Sequence, residues 1–485
     1  MERQSRNRVI LTPRNSEISS INFKIKKRKS VFRGPSSLML VVYGFLSLIF
    51  IGAFLLFLPI SHSGNFNVSF VDALFTATSA VTVTGLVVLD TGSTWSFFGE
   101  LIITMLIFIG GLGITTSAAF LIVIMGQKVG FQNLLLIREE IRSQGLSNLG
   151  SLVINVVFLT LIIQIIGSII FFFSFSILIR EFDEFSLGQL IWLSVFHSIS
   201  AFNNAGFETL SILGSESLTI FKYKPLILMI FSTLIIIGGL GYFVLHDLVH
   251  HRRIGKIKFR LKLFLETRLI LLGYLILILF GFLFIFIGEF SNPNTLGNMD
   301  LSNKIFNSFF GSITSRSAGF STFDYADLTG FSLLITEILM FIGGAPASVA
   351  GGIKITTFVV LALAVFSFLR GRKSVTIWRK KIPQETINHS IVVIIILALM
   401  ILIYIFFITL LNNEIQFDKI VFEVISAFTT TGLSTGITSE VSILSKYLLI
   451  SAMFIGRLSS LVLIFLLTNS REPNYNLSEE KIRIG

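Results

Sequence analysis

Cysteine is absent from the 485 residues, which excludes disulfides, thiolate metal sites and cysteine nucleophiles together. Charge is scarce as well: 13% of residues are Asp, Glu, Lys or Arg against 53% hydrophobic, and the mean hydropathy is +0.85. No water-facing globular surface tolerates that balance, so the chain falls in the membrane class. Phosphate-binding glycine loops, zinc patterns and a nucleophile–base pairing are all missing, and no enzymatic activity is expected. No small-residue cleavage site follows the first apolar run. Residues 1–36, basic through Lys24, Lys26, Lys27, Arg28, Lys29 and Arg33, therefore read as a retained cytoplasmic tail. The net charge of +11 lies in short clusters between apolar spans, which argues against a nucleic-acid partner.

What is present is apolar length and repetition. Phe accounts for 51 residues, so packing against lipid and between helices is expected to be largely aromatic. Runs near 38–60, 100–125, 151–179, 225–249, 267–289, 331–369, 388–411 and 444–468 can each cross a bilayer, which takes about 20 helical residues. Eight crossings put both ends on one side. The basic loops starting at Lys128, Arg252 and Arg370 alternate with poorly basic ones, so the positive-inside rule makes these loops and both tails cytoplasmic.

Between each odd crossing and the next lies a shorter, partly polar segment, at 70–86, 188–207, 303–320 and 418–433. Each closes on a similar string: Thr82-Val83-Thr84-Gly85, Asn203-Asn204-Ala205-Gly206, Arg316-Ser317-Ala318-Gly319 and Thr429-Thr430-Thr431-Gly432. The glycines are 121, 113 and 113 positions apart, an internal repeat. A second mark keeps the register, because the even crossings carry Gly110-Gly111, Gly238-Gly239, Gly343-Gly344 and Gly456-Arg457. The expected fold is therefore all-α and integral to the membrane: four tandem membrane–pore–membrane repeats, eight transmembrane helices and four re-entrant pore helices, pseudo-fourfold around one pore. The expected units are the tail 1–36, repeat 1 at 37–126, repeat 2 with its preceding loop at 127–250, repeat 3 at 251–370, repeat 4 at 371–470 and a C-terminal cytoplasmic tail at 471–485.

A cation stripped of water in a low-dielectric pore needs oxygen ligands, and backbone carbonyls from four converging strings can supply them. Glycine reaches positive φ at little steric cost, and irregular backbone is tolerable at membrane depth where it lines a wet cavity. Thr82, Val83, Thr84, Gly85, Asn204, Ala205, Gly206, Ser317, Ala318, Gly319, Thr430, Thr431 and Gly432 are the candidate potassium ligands. The plainer alternative is that these glycines only permit helix packing. Arg457 breaks the glycine pairing and is expected to project below the strings as an electrostatic barrier, with an inter-helix salt bridge as the alternative. The sixth crossing contains Gly343, Gly344, Pro346, Gly351 and Gly352, too many breakers for one continuous helix, so residues 343–352 read as an intramembrane loop able to gate; a proline kink is the alternative. Lys354 either lines the cavity or pairs with a carboxylate. His246, His250 and His251 near Asp247 suit an interfacial role better than a metal site, and Asp72, His197 and Glu423 suit support of the strings.

On Thr82–Leu86, Phe202–Phe207, Ala318–Phe320, Thr431–Gly436, Gly351–Lys354 and Phe454–Arg457 the sequence resembles the Trk/Ktr/HKT superfamily of potassium transporters, particularly its KtrB-type membrane subunits, over nearly the whole chain after residue 35. The resemblance implies a selectivity filter at Gly85, Gly206, Gly319 and Gly432, a gating loop at 343–352 and pore restriction by Arg457. It also implies a homodimer held partly by the end of the chain, 479–485, and a cytosolic nucleotide-binding RCK ring as partner. The expected activity is potassium uptake across the bacterial cytoplasmic membrane, with sodium open as coupled ion or regulator. Ala345, Ala347 and Val349 stand where that family more often has Ser, Gly and Thr, and Leu458-Ser459-Ser460 where it has Val-Gly-Pro. A secondary transporter of a small organic solute would need inverted repeats, which the same-direction repeats oppose.

Overall fold

The computed structural model describes residues 37–64, 68–113, 149–178, 186–213, 217–250, 263–372 and 374–458. Both expected tails and most of the basic loops starting at Lys128 and Arg252 lie outside the described residues, as do His251, Ser459 and Ser460. The described chain is built from helices: α1 Ser37–Phe57, α2 Phe70–Thr82, α3 Phe97–Gly111, α4 Leu149–Leu178, α5 Leu187–Phe202, α6 Pro225–Leu240 and α7 Tyr242–His250. They continue as α8 Leu265–Glu289, α9 Leu301–Thr314, α10 Gly330–Phe341, α11 Ile355–Leu369, α12 Gln384–Leu411, α13 Phe417–Thr429 and α14 Ile443–Arg457. Short strands β1 Thr376–Ile377 and β2 Lys380–Lys381 pair antiparallel, a hairpin the sequence reading did not anticipate. Its turn residues Trp378 and Arg379 both have positive φ, the signature of a two-residue hairpin turn.

Helix starts follow local chemistry. The Ser69 side chain accepts from Asp72 N, with Asp72 also placing negative charge in the first turn of α2. Ser186 and Gln189 form a reciprocal capping box on α5. Thr329 and Ser442 cap α10 and α14 in the same manner.

The helices pack in four groups, each containing one of the short string-bearing helices α2, α5, α9 and α13: α1, α2 and α3; α4, α5 and α6; α8, α9 and α10; α12, α13 and α14. The last helix of each group leans on the short helix of the next, α3 on α5, α6 on α9, α10 on α13, and α14 back on α2. This order returns to its start, so the four groups close a ring. Polar ties cross the seams: Trp192 Nε1 donates to Glu100 Oε2 at 2.5 Å, Asn307 Nδ2 to Lys222 O at 2.8 Å, and Lys446 Nζ pairs with Asp72 Oδ1 at 2.9 Å.

The outside of the ring is apolar. Phe54, Phe158, Leu275, Leu402 and Phe406 are exposed, whereas Ser79, Ser200, Thr314 and Ser426 are fully buried. That inversion suits a lipid solvent, which accepts apolar side chains and demands that backbone polar groups be satisfied internally. By length and apolar composition three described helices can cross a membrane, Ile154–Ile177 within α4, α8 and α12, and α6 with α7 forms a bent pair. The second and eighth expected crossings are described only as far as residues 113 and 458.

The fourth crossing, expected as one run over 225–249, is instead broken at Gly241, where α6 and α7 bend by 97°. Gly241 has φ +80, and a Cβ there would lie 2.7 Å from Pro346 O, so the segment 343–352 presses into the break. Apolar length alone carried no trace of this, because Gly241 sits in an uninterrupted hydrophobic run.

Close backbone approach also explains Gly110, Gly238 and Gly456: a Cβ on each would overlap the carbonyl oxygens of Val81, Phe202 and Phe428, at or next to the ends of α2, α5 and α13. Gly44, by contrast, has open space around it. Gly44→Ala is expected to stabilise the detergent-solubilised protein by up to about 1 kcal/mol of helix propensity, so that its thermal midpoint holds or rises. Gly238→Ala is expected to destabilise the protein by roughly 1–3 kcal/mol of overpacking, and equal midpoints for the two variants would count against the close approach.

Candidate functional site

Each of the four short helices ends at the centre of the ring in a backbone turn of the same shape. Val83, Asn204, Ser317 and Thr430 have φ of 55, 54, 68 and 47°, and two residues later Gly85, Gly206, Gly319 and Gly432 have φ of 90, 70, 79 and 86°. Positive φ is uncommon outside glycine, and for β-branched Val83 and Thr430 it costs on the order of 1–3 kcal/mol. The helix ends hold this shape. The amides of Thr84, Ala205, Ala318 and Thr431 donate to Ser79 O, Ser200 O, Thr314 O and Ser426 O at 2.8, 2.8, 3.1 and 2.9 Å.

Side-chain hydroxyls complete the support. Ser79 Oγ and Ser426 Oγ accept from Gly85 N and Gly432 N at 3.0 and 3.1 Å, while Ser200 Oγ and Thr314 Oγ1 each donate to Phe207 O and Phe320 O at 2.7 Å. The third string is one residue shorter from hydroxyl to glycine, so Thr314, not Ile313, takes the supporting place. Thr82 and Thr84 share a hydroxyl hydrogen bond at 2.7 Å, and Thr429 and Thr431 repeat it at 2.8 Å. The first and fourth strings are thus near-copies.

The four glycines then meet one another's backbone in order. A Cβ on Gly85 would overlap Ala205 O; on Gly206 it would reach 3.0 Å from Ala318 O, and on Gly319 2.6 Å from Thr431 O. On Gly432 it would overlap Thr84 O, which closes the circuit. The plainer packing alternative therefore describes Gly110, Gly238 and Gly456, which lie helix against helix end, and not the string glycines, which lie string against string.

Residues 343–352 are non-helical between α10 and α11, as expected, and a simple proline kink does not describe them. The ends are joined: Gly343 N donates to Ile353 O at 3.0 Å, Ile353 N to Phe341 O at 3.2 Å and Ile355 N to Gly344 O at 2.9 Å. Such a closed, self-tied segment is a compact loop of the Ω kind. It touches α6 through Ala345 N, which donates to Gly239 O at 3.1 Å, and the fourth string through Gly351, where a Cβ would overlap Thr430 Oγ1. Pro346 is half-buried within it, and Gly352 has φ +68.

Two guanidinium groups hold this loop. Arg457 donates to Val349 O and, at 2.7 Å, to Gly110 O, so it joins the loop to the first group. Neither sequence alternative for Arg457 specified carbonyl partners. Arg316, which sequence reading noted only as a string variant, is 2% exposed, donates to Gly343 O at 2.7 Å and lies 3.8 Å from the Tyr274 ring centroid. An arginine inside a pore-helix string was the available signal; Tyr274, in the middle of the apolar run of α8, carried none.

Lys354, left open between cavity lining and a carboxylate partner, donates to Ala350 O at 2.6 Å. Asp72 pairs with Lys446, His197 is buried with its Nδ1 2.8 Å from Leu193 O, and Glu423 accepts from Thr438 and from Ser434 at 3.0 Å. The His197 and Glu423 contacts are local, and the Asp72 pair is the tie between the first and fourth groups. Asn203, beside Asn204 in the second string, fits beneath Gly111, where a Cβ would overlap its Oδ1.

A ring of apolar-faced helices around converging carbonyl strings defines a membrane cation-transport fold. The chain belongs to the TrkH family of cation transport proteins, whose model matches residues 17–475. It is 36% identical over 442 residues to the Ktr system potassium uptake protein B of Bacillus subtilis, covering 91% of this chain and 95% of that protein. It is 33% identical over 465 residues to the potassium/sodium uptake protein NtpJ of Enterococcus hirae, covering 94% and 99%. The crystal structure of the potassium transporter TrkH from Vibrio parahaemolyticus superposes with a TM-score of 0.69 at 19% identity, over 92% of this chain and 87% of that one, a likeness of fold.

Ala347 has φ +52, in the left-handed region that favours glycine. The loop keeps a glycine-type backbone with an alanine in it, at roughly 1–2 kcal/mol. Ala347→Gly is expected to relieve that strain, with a net gain of roughly 0.5–1 kcal/mol after glycine's entropy cost. Hydrogen exchange at the Gly351 amide should slow by about two- to fivefold; faster exchange would contradict the strained-loop account.

Proposed function

We propose that the chain carries potassium into the cell through a gated, cation-selective pore on the axis of the ring, as the translocating subunit of a Ktr/Trk system. The observation that carries this reading is the closed circuit of four glycine strings. Carbonyl-rich backbone from every group meets at one place, which is the chemistry needed to replace the hydration shell of a monovalent cation. In this reading the candidate ligands run from Thr82 to Gly85, Asn204 to Gly206, Ser317 to Gly319 and Thr430 to Gly432. The four helix groups are tandem membrane–pore–membrane repeats with the boundaries given above, eight crossings in all.

The loop 343–352, held by Arg457, is the proposed gate. Arg457 raises the barrier beneath the filter because a fixed positive charge opposes a cation in low dielectric. Sodium is proposed as a second ion, coupled in symport or regulatory, in keeping with the potassium/sodium name of the E. hirae relative. The proposed setting is the bacterial cytoplasmic membrane with both tails inside, the chain acting as a homodimer on a cytosolic nucleotide-binding RCK ring. We assign it no catalytic activity.

Rubidium and potassium uptake by a transport-deficient cell expressing the chain, with and without an RCK partner, tests the reading. Gly85→Ser and Gly319→Ser are each expected to weaken apparent potassium affinity or potassium-over-sodium preference by about 5- to 100-fold, the scale of one to a few lost or misplaced carbonyl contacts. Unchanged selectivity in both variants would sink the filter assignment. Removing residues 343–352 is expected to raise flux, and a flux equal to the parent's would remove the gate.

A further inference from the structure

The dipeptide Arg316-Ser317 sits at the junction of three structures. Arg316 donates to Gly343 O at 2.7 Å, and Ser317 Oγ accepts from Gly351 N at 2.9 Å, so adjacent residues of the third string hold the two ends of the loop. The same Ser317 hydroxyl donates to Thr430 O at 2.8 Å, in the string of the neighbouring group. One oxygen thus spends its acceptor capacity on the loop and its hydrogen on the fourth string. Ser317 is 1% exposed and has φ +68, the turn conformation it shares with Val83, Asn204 and Thr430, and of these four Ser317 lies beside the loop amide of Gly351.

We infer that Ser317 is the element that couples the gate to the filter, with Arg316 as the fixed anchor of the loop. This inference rests on the pore reading above and adds to it a specificity-determining residue. With the loop in place, Gly351 N–H fixes the hydroxyl, and its hydrogen is directed at Thr430 O. That carbonyl is then partly neutralised as a cation ligand, because an oxygen accepting a hydrogen bond offers less negative potential to an ion. When the loop withdraws, Ser317 loses its donor and is free to rotate, and Thr430 O becomes a stronger ligand. Ion preference follows the gate.

Arg316 supplies the asymmetry the device needs. Its guanidinium is packed on the Tyr274 ring and holds Gly343 O, so in the proposed movement the Gly343 end stays attached while the contacts at Val349 and Gly351 break. Arg457 and Ser317 release together because both grip that second end.

The experiment is a cycle measured as rubidium uptake and as potassium-over-sodium preference in transport-deficient cells, normalised to the amount of protein in the membrane. Its four members are the parent, Ser317→Ala, removal of residues 343–352, and both changes together. Ser317→Ala is expected to raise flux by about two- to tenfold, the scale of one lost hydrogen bond, and to shift preference in the same direction as loop removal. In the loop-less background it should change flux no further. Independent, multiplying effects would overturn the coupling, as would parental flux and preference in Ser317→Ala.

Ser317→Gly, which removes the hydroxyl while easing the positive φ, gives the same reading should the alanine variant accumulate poorly. Absence of both from the membrane would make the hydroxyl a structural strut and overturn the proposal. Gly319→Ser separates the two levels. If it alters selectivity while Ser317→Ala and Ser317→Gly do not, the pore stands and the coupling falls; if none of them does, the pore reading falls with it.

Discussion

Backbone pressed against backbone is the constraint on which the structure depends. Gly85, Gly206, Gly319 and Gly432 each stand where a single methyl would strike or crowd a carbonyl of the next string, and together they form a closed circuit. Backbone packed this closely at four positive-φ turns needs stiff supports around it. The supports are the helix-end hydrogen bonds to Ser79, Ser200, Thr314 and Ser426. Behind them Gly110, Gly238 and Gly456 admit the outer helices to within contact of the next layer of carbonyls. Each layer requires glycine or a short hydroxyl residue for the same reason: a larger side chain would hold the groups apart and open the circuit.

The third group departs from this plan, and its departures belong together. Helix α10 stops at Phe341, so Gly343 does not lie against a pore-helix end but against Gly351 O of its own loop. The space that the continuous helix would have filled is taken by the loop, whose Pro346 and Ala347 push into the bend at Gly241. In the third string Arg316, at the place of Thr82, Asn203 and Thr429, reaches Gly343 O and the Tyr274 ring. Breaking one helix thus bends a second and recruits a buried cation from a string that is otherwise part of the ring.

Period and spacing made much of this legible. Four glycines at nearly equal intervals, each behind a short amphipathic segment, were enough to place the starts of α2, α5, α9 and α13 within two residues, while the expected segments ran on past the helix ends through the glycine strings. The breakers in the sixth crossing located the loop. What could not be read was whatever depended on partners distant in sequence. The positive φ of Val83 and Thr430 has no residue-type signal, because β-branched residues normally avoid it, and only the surrounding hydrogen bonds impose it. Gly241 looked like one more glycine in an apolar run until Pro346 was found against it. Arg316 was visible as a charge, but its role required knowing that Gly343 and Tyr274 lie beside it.

Arg316 and Arg457 also explain how charge can be kept at membrane depth. A lone arginine at the centre of a spanning helix costs about 2.5–3.5 kcal/mol on insertion scales. Here each is solvated by backbone: Gly343 O and the face of Tyr274 for one, Val349 O and Gly110 O for the other. Gly343 O and Val349 O belong to the loop and Gly110 O to α3, so the loop supplies the one carbonyl acceptor of Arg316 and one of the two of Arg457. Arg316 Nε and Nη1 have no hydrogen-bond partner, so that guanidinium relies on one carbonyl and the Tyr274 face for its solvation and is the more costly of the two to keep buried.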